Sequence, residues 1–354
     1  MKNPKVAIYY DWLNQWGGAE RVLLDLLEIY PKADIYTLTY NPQKTSWLPK
    51  GHQIFSLNLK NKLLSTPFYA YKLEQIDFSS YDLVISTTST VGHCLLTPPQ
   101  CLYICYFHNI NRYLYQHPPA LLKPILNQYQ KIDKIFATRP DHLFCNSQNV
   151  ASRIQQHYHR DATVLYPGID TQKFIPNPKP PQKYFLIVSR LVAHKKIDLV
   201  INTFKRLPYR LKIVGTGRDE AYLKCLANNY HNIEFYKSID DSQLINLYQN
   251  CQGLIYPQEE DFGLTALEVQ SCGRGVIAFN RGGAKESVIS GKTGIFFDRQ
   301  SPESLSDAIE KYLSKPPLSE DCRRQAIKFD RHNFMLNFTK QVDSIWSKRQ
   351  TITS

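Results

Sequence analysis

Short apolar runs followed by loops and amphipathic helical patterns recur along this chain in two series, and a proline-dense segment separates them. The first series places strands at residues 6–10, 33–38, 83–87, 102–107, 143–146 and 163–165, with helical patterns at 19–30, 119–138 and 148–158. The second places strands at 184–189, 211–215, 233–236, 253–256, 276–279 and 294–297, with helices at 197–206, 219–228 and 241–250. Strands alternating with helices predict parallel, doubly wound sheets. Between the series lies Phe174-Ile-Pro-Asn-Pro-Lys-Pro-Pro181, which can be neither a helix interior nor a central strand. At 354 residues the chain also exceeds one ordinary core. The expected organisation is a first α/β domain over residues 1–174, a linker over 175–183 and a second α/β domain over 184–329. A last helix over 330–354 is expected to pack back on the first domain. Ser301-Pro302 reads as a helix start, a capping serine before a proline at the first helical position.

Open α/β sheets bind ligands beyond the carboxyl ends of their strands, so two such domains predict a cleft between two sheets. The motifs fall after strands. Residues 258–268 read Gln-Glu-Glu-Asp-Phe-Gly-Leu-Thr-Ala-Leu-Glu, placing Glu260 and Glu268 with seven residues between them around a Phe-Gly turn that opens a helix. Helical side chains tilt toward the N-terminus, so a long Glu268 can lean back toward the loop. The amides of Gly263, Leu264 and Thr265 lie in the first turn, where backbone N–H groups lack intrahelical partners and favour an anion. Hydroxyl-accepting carboxylates beside an anion cradle suit a sugar nucleotide, with diols at both ends and a diphosphate between.

The other motifs carry bland readings alongside functional ones. Gly17-Gly18-Ala19-Glu20 opens the first helix and lets backbone approach a phosphate, or is a tight turn with a helix-stabilising glutamate. It lacks the spacing of a dinucleotide site. His108, in Tyr106-Phe-His-Asn-Ile-Asn-Arg112, ends a strand and sits where it can bond a sugar hydroxyl, or is structural. Arg190 and Lys195, five apart in a loop entering a helix, offer a fork and a point charge to a diphosphate, or form a solvated basic turn. Gly215-Thr-Gly217 is a close backbone approach or a turn, and Asn280-Arg-Gly-Gly283 is a second glycine turn.

The net charge of +12, from 43 basic and 31 acidic residues, calls for an anionic partner. The cations are spread over both halves without the clustered aromatics of a nucleic-acid face, which argues against nucleic acid. The basic, apolar residues 57–72, with Tyr69, Tyr71 and Lys72, read as an anionic membrane contact or an ordinary amphipathic helix. Eight scattered cysteines form no metal-ligand pattern, and His157 and His159 are too isolated for one. Reduced buried thiols are expected, and no metal site. No signal peptide is expected, since Asp11 interrupts the apolar start, and no membrane span, since no apolar run approaches the length needed to cross a bilayer.

Together these residues resemble the retaining glycosyltransferases of family four, which have the GT-B architecture of two Rossmann-like domains facing across a cleft. The resemblance runs through the Gly-Gly-Ala-Glu loop, His108 with Arg112-Tyr113, Asn146-Ser147, Tyr166-Pro-Gly-Ile-Asp170, Ser189-Arg-Leu191, Lys195 and Glu260 to Glu268. Glu260-Asp-Phe-Gly263 with Cys272-Gly-Arg274 and Arg281-Gly-Gly283 is similar to a bacterial branch that builds surface polysaccharides. The resemblance implies that Glu260 holds hydroxyls of the transferred sugar, that Glu268 holds the ribose diol, and that Arg190 and Lys195 neutralise the leaving diphosphate. It implies further that amides from Phe262 to Thr265 contact the donor, that Gly18 borders the phosphate, and that His108 lies beside the reacting face of the sugar. Three departures from the branch occur, at Asn109-Ile-Asn111, Lys196 and Gly275, none at a residue given a chemical role.

The expected activity is metal-independent transfer of a hexose, first mannose from GDP-mannose and next a UDP-hexose, to a lipid-linked oligosaccharide or surface polysaccharide. No cofactor beyond the donor is expected. The expected location is cytoplasmic and peripheral on the inner face of the cytoplasmic membrane. The alternative is a non-catalytic sugar-nucleotide-binding subunit or sensor of polysaccharide assembly.

Overall fold

A computed structural model describes residues 4–59, 66–115, 123–237 and 239–353. The chain forms two compact units, one of Met1–Pro167 with Phe334–Ser354 and one of Gly168–Asn333.

The first unit contains seven strands: β1 (Val6–Leu13), β2 (Asp34–Tyr40), β3 (Ile54–Ser56), β4 (Leu83–Thr88), β5 (Leu102–Phe107), β6 (His142–Cys145) and β7 (Thr163–Val164). They pair in parallel in the order β3-β2-β1-β4-β5-β6-β7. Alternation along the strands divides the core into two faces. Ile8, Ile85, Ile104, Tyr106 and Phe144 pack on Val22, Leu23 and Leu26 of the helix Gly18–Ile29, and on Phe338 and Val342 of the C-terminal helix Arg331–Thr353. On the opposite face, Ala7, Tyr9, Val84 and Tyr103 pack on Tyr69, Leu73 and Phe78. Cys105, Phe107 and Cys145 extend that face onto Val150 and Ile154 of the helix Gln148–Tyr158. Covering on both faces explains why these strands read as near-continuous apolar runs.

Two sequence expectations need correction here. Strand β1 does not stop at Tyr10; it runs on to Leu13, and Asp11 is buried inside it. The charge that seemed to end the strand is accommodated because the Thr88 hydroxyl and the Ser89 and Thr90 amides donate to its carboxylate. Strand β3 was not foreseen, because three half-exposed or exposed edge residues leave almost no apolar signal. The helix expected over 119–138 is described as Lys123–Phe136, and residues 116–122 lie outside the described residues. Part of the candidate membrane segment, residues 60–65, also lies outside them. Its remainder includes the helix Thr66–Leu73, with Tyr69 buried and Tyr71 exposed.

The second unit has six parallel strands: β8 (Tyr184–Val188), β9 (Arg210–Val214), β10 (Ile233–Tyr236), β11 (Gly253–Tyr256), β12 (Gly275–Phe279) and β13 (Gly294–Phe297). Their order is β10-β9-β8-β11-β12-β13. Phe185, Ile187, Leu211, Ile213 and Ile277 form one core face with Val200 and Phe204. Leu186, Leu254, Val276 and Ala278 form the other with Tyr248, Ala266 and Val269. The proline-dense segment belongs to this unit: Phe174 packs edge-on against Tyr248, and Arg323 donates to the carbonyls of Thr171, Phe174 and Ser271. Asp240 and Gln243 close a reciprocal capping box on the helix Asp241–Asn250, and Ser301 caps the helix Pro302–Ser314.

All eight cysteines are free, seven of them buried. Among the described residues, no helix is long and apolar enough to cross a membrane. The first unit also holds a buried polar hub. Asp133 accepts from His93 Nε2, Tyr115 and Tyr158, each at 2.9 Å, and Cys94 completes a group whose donor atoms lie within 4.8 Å of one another. The tyrosines and histidine already fill the carboxylate, so this group ties the helix Lys123–Phe136 to the turn Gly92–Cys94 and to the helices Arg112–Tyr115 and Gln148–Tyr158.

Phe338 is fully buried and meets Phe144 edge-on at 5.5 Å. Phe338→Ala is expected to lower unfolding free energy by about 3–4 kcal/mol in urea titrations, because the C-terminal helix closes one face of the first sheet.

Candidate active site

Strand order reverses between β8 and β11 in the second unit, the place where an open α/β sheet leaves a crevice beyond its strand ends. The loops that follow these two strands deliver the two central side chains. Lys195 ends a single 3₁₀ turn, Ala193–Lys195, after β8, and Glu260 lies in the loop after β11. Lys195 Nζ donates to Glu260 Oε1, and the two side chains are 9% and 19% exposed. Gln258, itself buried, donates from Nε2 to the same carboxylate oxygen at 3.3 Å. Removing one partner of such a pair leaves a charge short of solvent and short of a counterion.

Glycines lock both loops in place. A Cβ at Gly215, whose φ is +145°, would stand 1.9 Å from the Ser189 carbonyl oxygen, and one at Gly217 would stand 2.2 Å from that of Leu191. The close approach that needs glycine at 215 is therefore to the loop carrying Lys195. Gly282 and Gly283 do the same for the Glu260 loop: Gly283 N donates to the Glu260 carbonyl at 2.8 Å, and a Cβ at Gly282 would lie 2.3 Å from that oxygen.

The helix Leu264–Ser271 opens on Gly263 in left-handed backbone, φ +95°, tucked against the Tyr256 hydroxyl. Leu264 and Thr265 are half-buried in its first turn, whereas Phe262 is buried against Phe329. Glu268 sits one turn into this helix and is 1% exposed; its Oε2 accepts the Tyr248 hydroxyl at 2.7 Å. Arg190 is exposed, unlike Lys195 in the same loop.

In the first unit, order reverses between β1 and β4. Asp11 ends up beside Thr88 there, and burial pushes its carboxyl up while the hydrogen bonds from Ser89 and Thr88 oppose that. One residue back on β4, Thr87 Oγ1 lies 2.7 Å from His108 Nε2. His108 follows β5 and is 8% exposed; Asn146 Nδ2 holds its carbonyl at 2.9 Å. Burial drives the imidazole down to about 3, so it is neutral throughout the physiological range and acts as a hydrogen-bonding group there, not as a cation. Gly17 and Gly18 lead into the helix Gly18–Ile29, and Gly18 is exposed. Glu20 does not face solvent at the first turn: it is buried, accepting from the Tyr10 hydroxyl at 2.5 Å and from Gln15 at 3.1 Å.

Sequence reasoning did not single out Asp11, Thr87, Tyr248 or Gln258. An acid directly after an apolar strand is a usable signal for Asp11. The others are ordinary residues until the fold supplies their partners.

This architecture, two doubly wound parallel sheets with the polar groups gathered in loops beyond the strand ends, is the one found in GT-B glycosyltransferases. Two family models match the chain: Glycosyltransferase Family 4 over residues 16–173, and Glycosyl transferases group 1 over residues 168–329. With nearly the whole chain matched between them, the protein belongs to the family 4 glycosyltransferases and is an enzyme of that class. It is similar to the alpha-1,3/1,6-mannosyltransferase ALG2 of Mus musculus, at 28% identity over 85% of this chain and 86% of the relative. Among solved structures it is similar in fold to a sucrose-phosphate synthase from Thermosynechococcus elongatus, with a TM-score of 0.80 at 16% identity, covering 97% of this chain and 100% of the other. HepE of Anabaena, in complex with UDP and glucose, gives a TM-score of 0.74 at 17% identity, covering 96% of this chain and 100% of the other.

Two outcomes test this geometry. Lys195→Met and Glu260→Gln are expected to be non-additive in urea unfolding, with a coupling of about 1 kcal/mol in a double-mutant cycle; additive losses would mean the pair is not formed. The second concerns pH. An unfolded histidine has its ordinary value of 6.5, whereas folded His108 resists protonation until about 3. Stability from this group is therefore complete above pH 6.5 and falls as pH drops toward 3. By about pH 5 the loss is about 2 kcal/mol, and His108→Asn should flatten that part of the stability profile.

Proposed function

We propose that the protein transfers a hexose, with retention and without a metal, from a nucleoside-diphosphate sugar to a lipid-linked oligosaccharide or related surface glycan. The observation that carries this reading is the meeting of Lys195 and Glu260 where strand order reverses in the second unit. The barrier to such a transfer is departure of a diphosphate from an anomeric carbon that becomes cation-like. Groups that meet the developing negative charge are then worth most. In our reading Lys195 and Arg190 meet that charge, and the first-turn amides of Gly263, Leu264 and Thr265, with Phe262, add to it. Glu260 takes hydroxyls of the transferred sugar, and Glu268, steadied by Tyr248, takes the ribose diol. Gly17 and Gly18 offer backbone to the phosphate, Gly215 shapes the Lys195 loop, and a neutral His108 bonds a sugar hydroxyl.

Mannose from GDP-mannose is the first choice of donor, supported by likeness to a mannosyltransferase. The HepE structures with UDP and with UDP-glucose support a UDP-hexose as the second. A lipid-linked acceptor would bring the enzyme to the inner face of the cytoplasmic membrane.

The Lys195–Glu260 pair gives this reading a distinctive sign. Glu260 pairs with Lys195 and so competes with a diphosphate for it. Glu260→Gln should therefore bind GDP or UDP about three- to tenfold tighter in calorimetry, while transfer falls by about a hundredfold or more. Glu268→Gln should instead weaken nucleotide binding itself. Equal weakening in both variants would reject the division of roles. Failure of the wild type to bind any nucleoside diphosphate would reject the donor reading.

A further inference from the structure

A tryptophan lies open to solvent at the carboxyl edge of the first sheet. Of the chain's four tryptophans, Trp16 is the exposed one, at 48%. Leaving that ring in water forgoes the stabilisation its burial would bring, and a polar residue would fill the position without that cost. Trp16 follows β1 and directly precedes the Gly17-Gly18 turn, and Trp47 lies in the segment that follows β2. The two strands are parallel neighbours, so both segments leave the sheet at the edge where open α/β sheets bind ligands.

The ring is held in place there. The Trp16 and Trp47 centroids are 5.2 Å apart at 51°, and Trp47 Nε1 donates to the Gln15 carbonyl at 3.1 Å. Asn41 N donates to the Leu13 carbonyl at 2.8 Å, and the Asn41 carbonyl accepts the Thr45 hydroxyl at 2.8 Å. The Arg21 guanidinium carbon stands 6.0 Å from the Trp16 ring centre. Bonds that run from one segment to the other set this surface before a ligand arrives, so little side-chain freedom is lost on binding.

The chemistry around the ring selects the occupant. Residues 12–18 and 41–47 carry one charged side chain, Lys44, beside the neutral amides Asn14, Gln15, Asn41 and Gln43. An anionic bilayer or a nucleic acid calls for clustered cations, and a protein partner for a broader apolar patch. Neutral amides beside an indole match a neutral sugar instead. Indole faces carry partial negative charge and attract the polarised C–H bonds on one side of a pyranose. Amides exchange hydrogen bonds with its hydroxyls.

We propose that Trp16, steadied by Trp47, is a stacking surface for a neutral pyranose ring of the acceptor glycan, and so a determinant of acceptor choice. This rests on the acceptor half of the function proposed above, not on the donor. The test is saturation-transfer NMR of the full-length protein with mannotriose, maltotriose and chitotriose, backed by tryptophan fluorescence titration. The wild type is expected to bind at least one of them with a Kd on the order of 1 mM, with saturation strongest on ring C–H protons. Trp16→Ala should lose about tenfold in that affinity, with an unchanged melting temperature, since the side chain is already exposed. Trp16→Phe, which keeps an aromatic face, should retain most of it. Both variants should bind GDP or UDP as the wild type does. No saturation transfer to any of the three sugars, or Trp16→Ala binding like wild type, would overturn the proposal. So would self-association of the wild type that Trp16→Ala abolishes while sugar binding persists, which would assign the ring to a second copy. A wild type that binds a trisaccharide but no nucleoside diphosphate would sink the donor reading and leave this one standing.

Discussion

A lysine ammonium and a glutamate carboxylate share a poorly solvated crevice at the end of the second sheet, and the surrounding loops of that unit are organised around holding them there. Neither charge is comfortable without a counterion. Lys195 satisfies Glu260, and in our reading a diphosphate offers the lysine a more highly charged partner. The rest of the second unit gives this pair a fixed place. Gly215 and Gly217 let the β9 loop press against the lysine loop, Gly282 and Gly283 let the β12 loop press against the glutamate loop, and Arg323 anchors the far end of the helix that follows.

The first unit applies the same logic with neutral groups. Asp11 and His108 are both titratable and both nearly excluded from water, and each is satisfied by a neighbouring threonine on β4. Burial makes His108 a neutral imidazole. In our reading such a group accepts or donates a hydrogen bond to a sugar hydroxyl without adding charge.

Much of the fold was legible because parallel strands covered on both faces must be apolar throughout. Residues 102–107, 148–158, 233–236, 241–250, 253–256 and 294–297 fall where the periodicity placed them. Ser301 caps its helix as its chemistry predicts. The errors have a common cause: they arise where tertiary partners override a local signal. Asp11 looked like a strand end until Thr88 and two amides came into reach. Residues 54–56 form an edge strand whose side chains have little to bury. Glu20 reads from sequence as a glutamate of the first helical turn and stands there, but its burial by Tyr10 and Gln15 comes only from the fold.

The sequence by itself determined the two α/β series, the glycine turns and the two glutamates around a helix start. These follow from local rules, the apolar period, the freedom of glycine and the orphan amides of a first helical turn, which need no distant partner. Only the tertiary structure decided which charges meet. Lys195 and Glu260 are sixty-five residues apart in sequence, and nothing local distinguishes Lys195, buried against a carboxylate, from Arg190 and Lys196, which face solvent. The same holds for the state of His108: a histidine after a strand is readable, but its neutrality comes from burial, which depends on what packs around it.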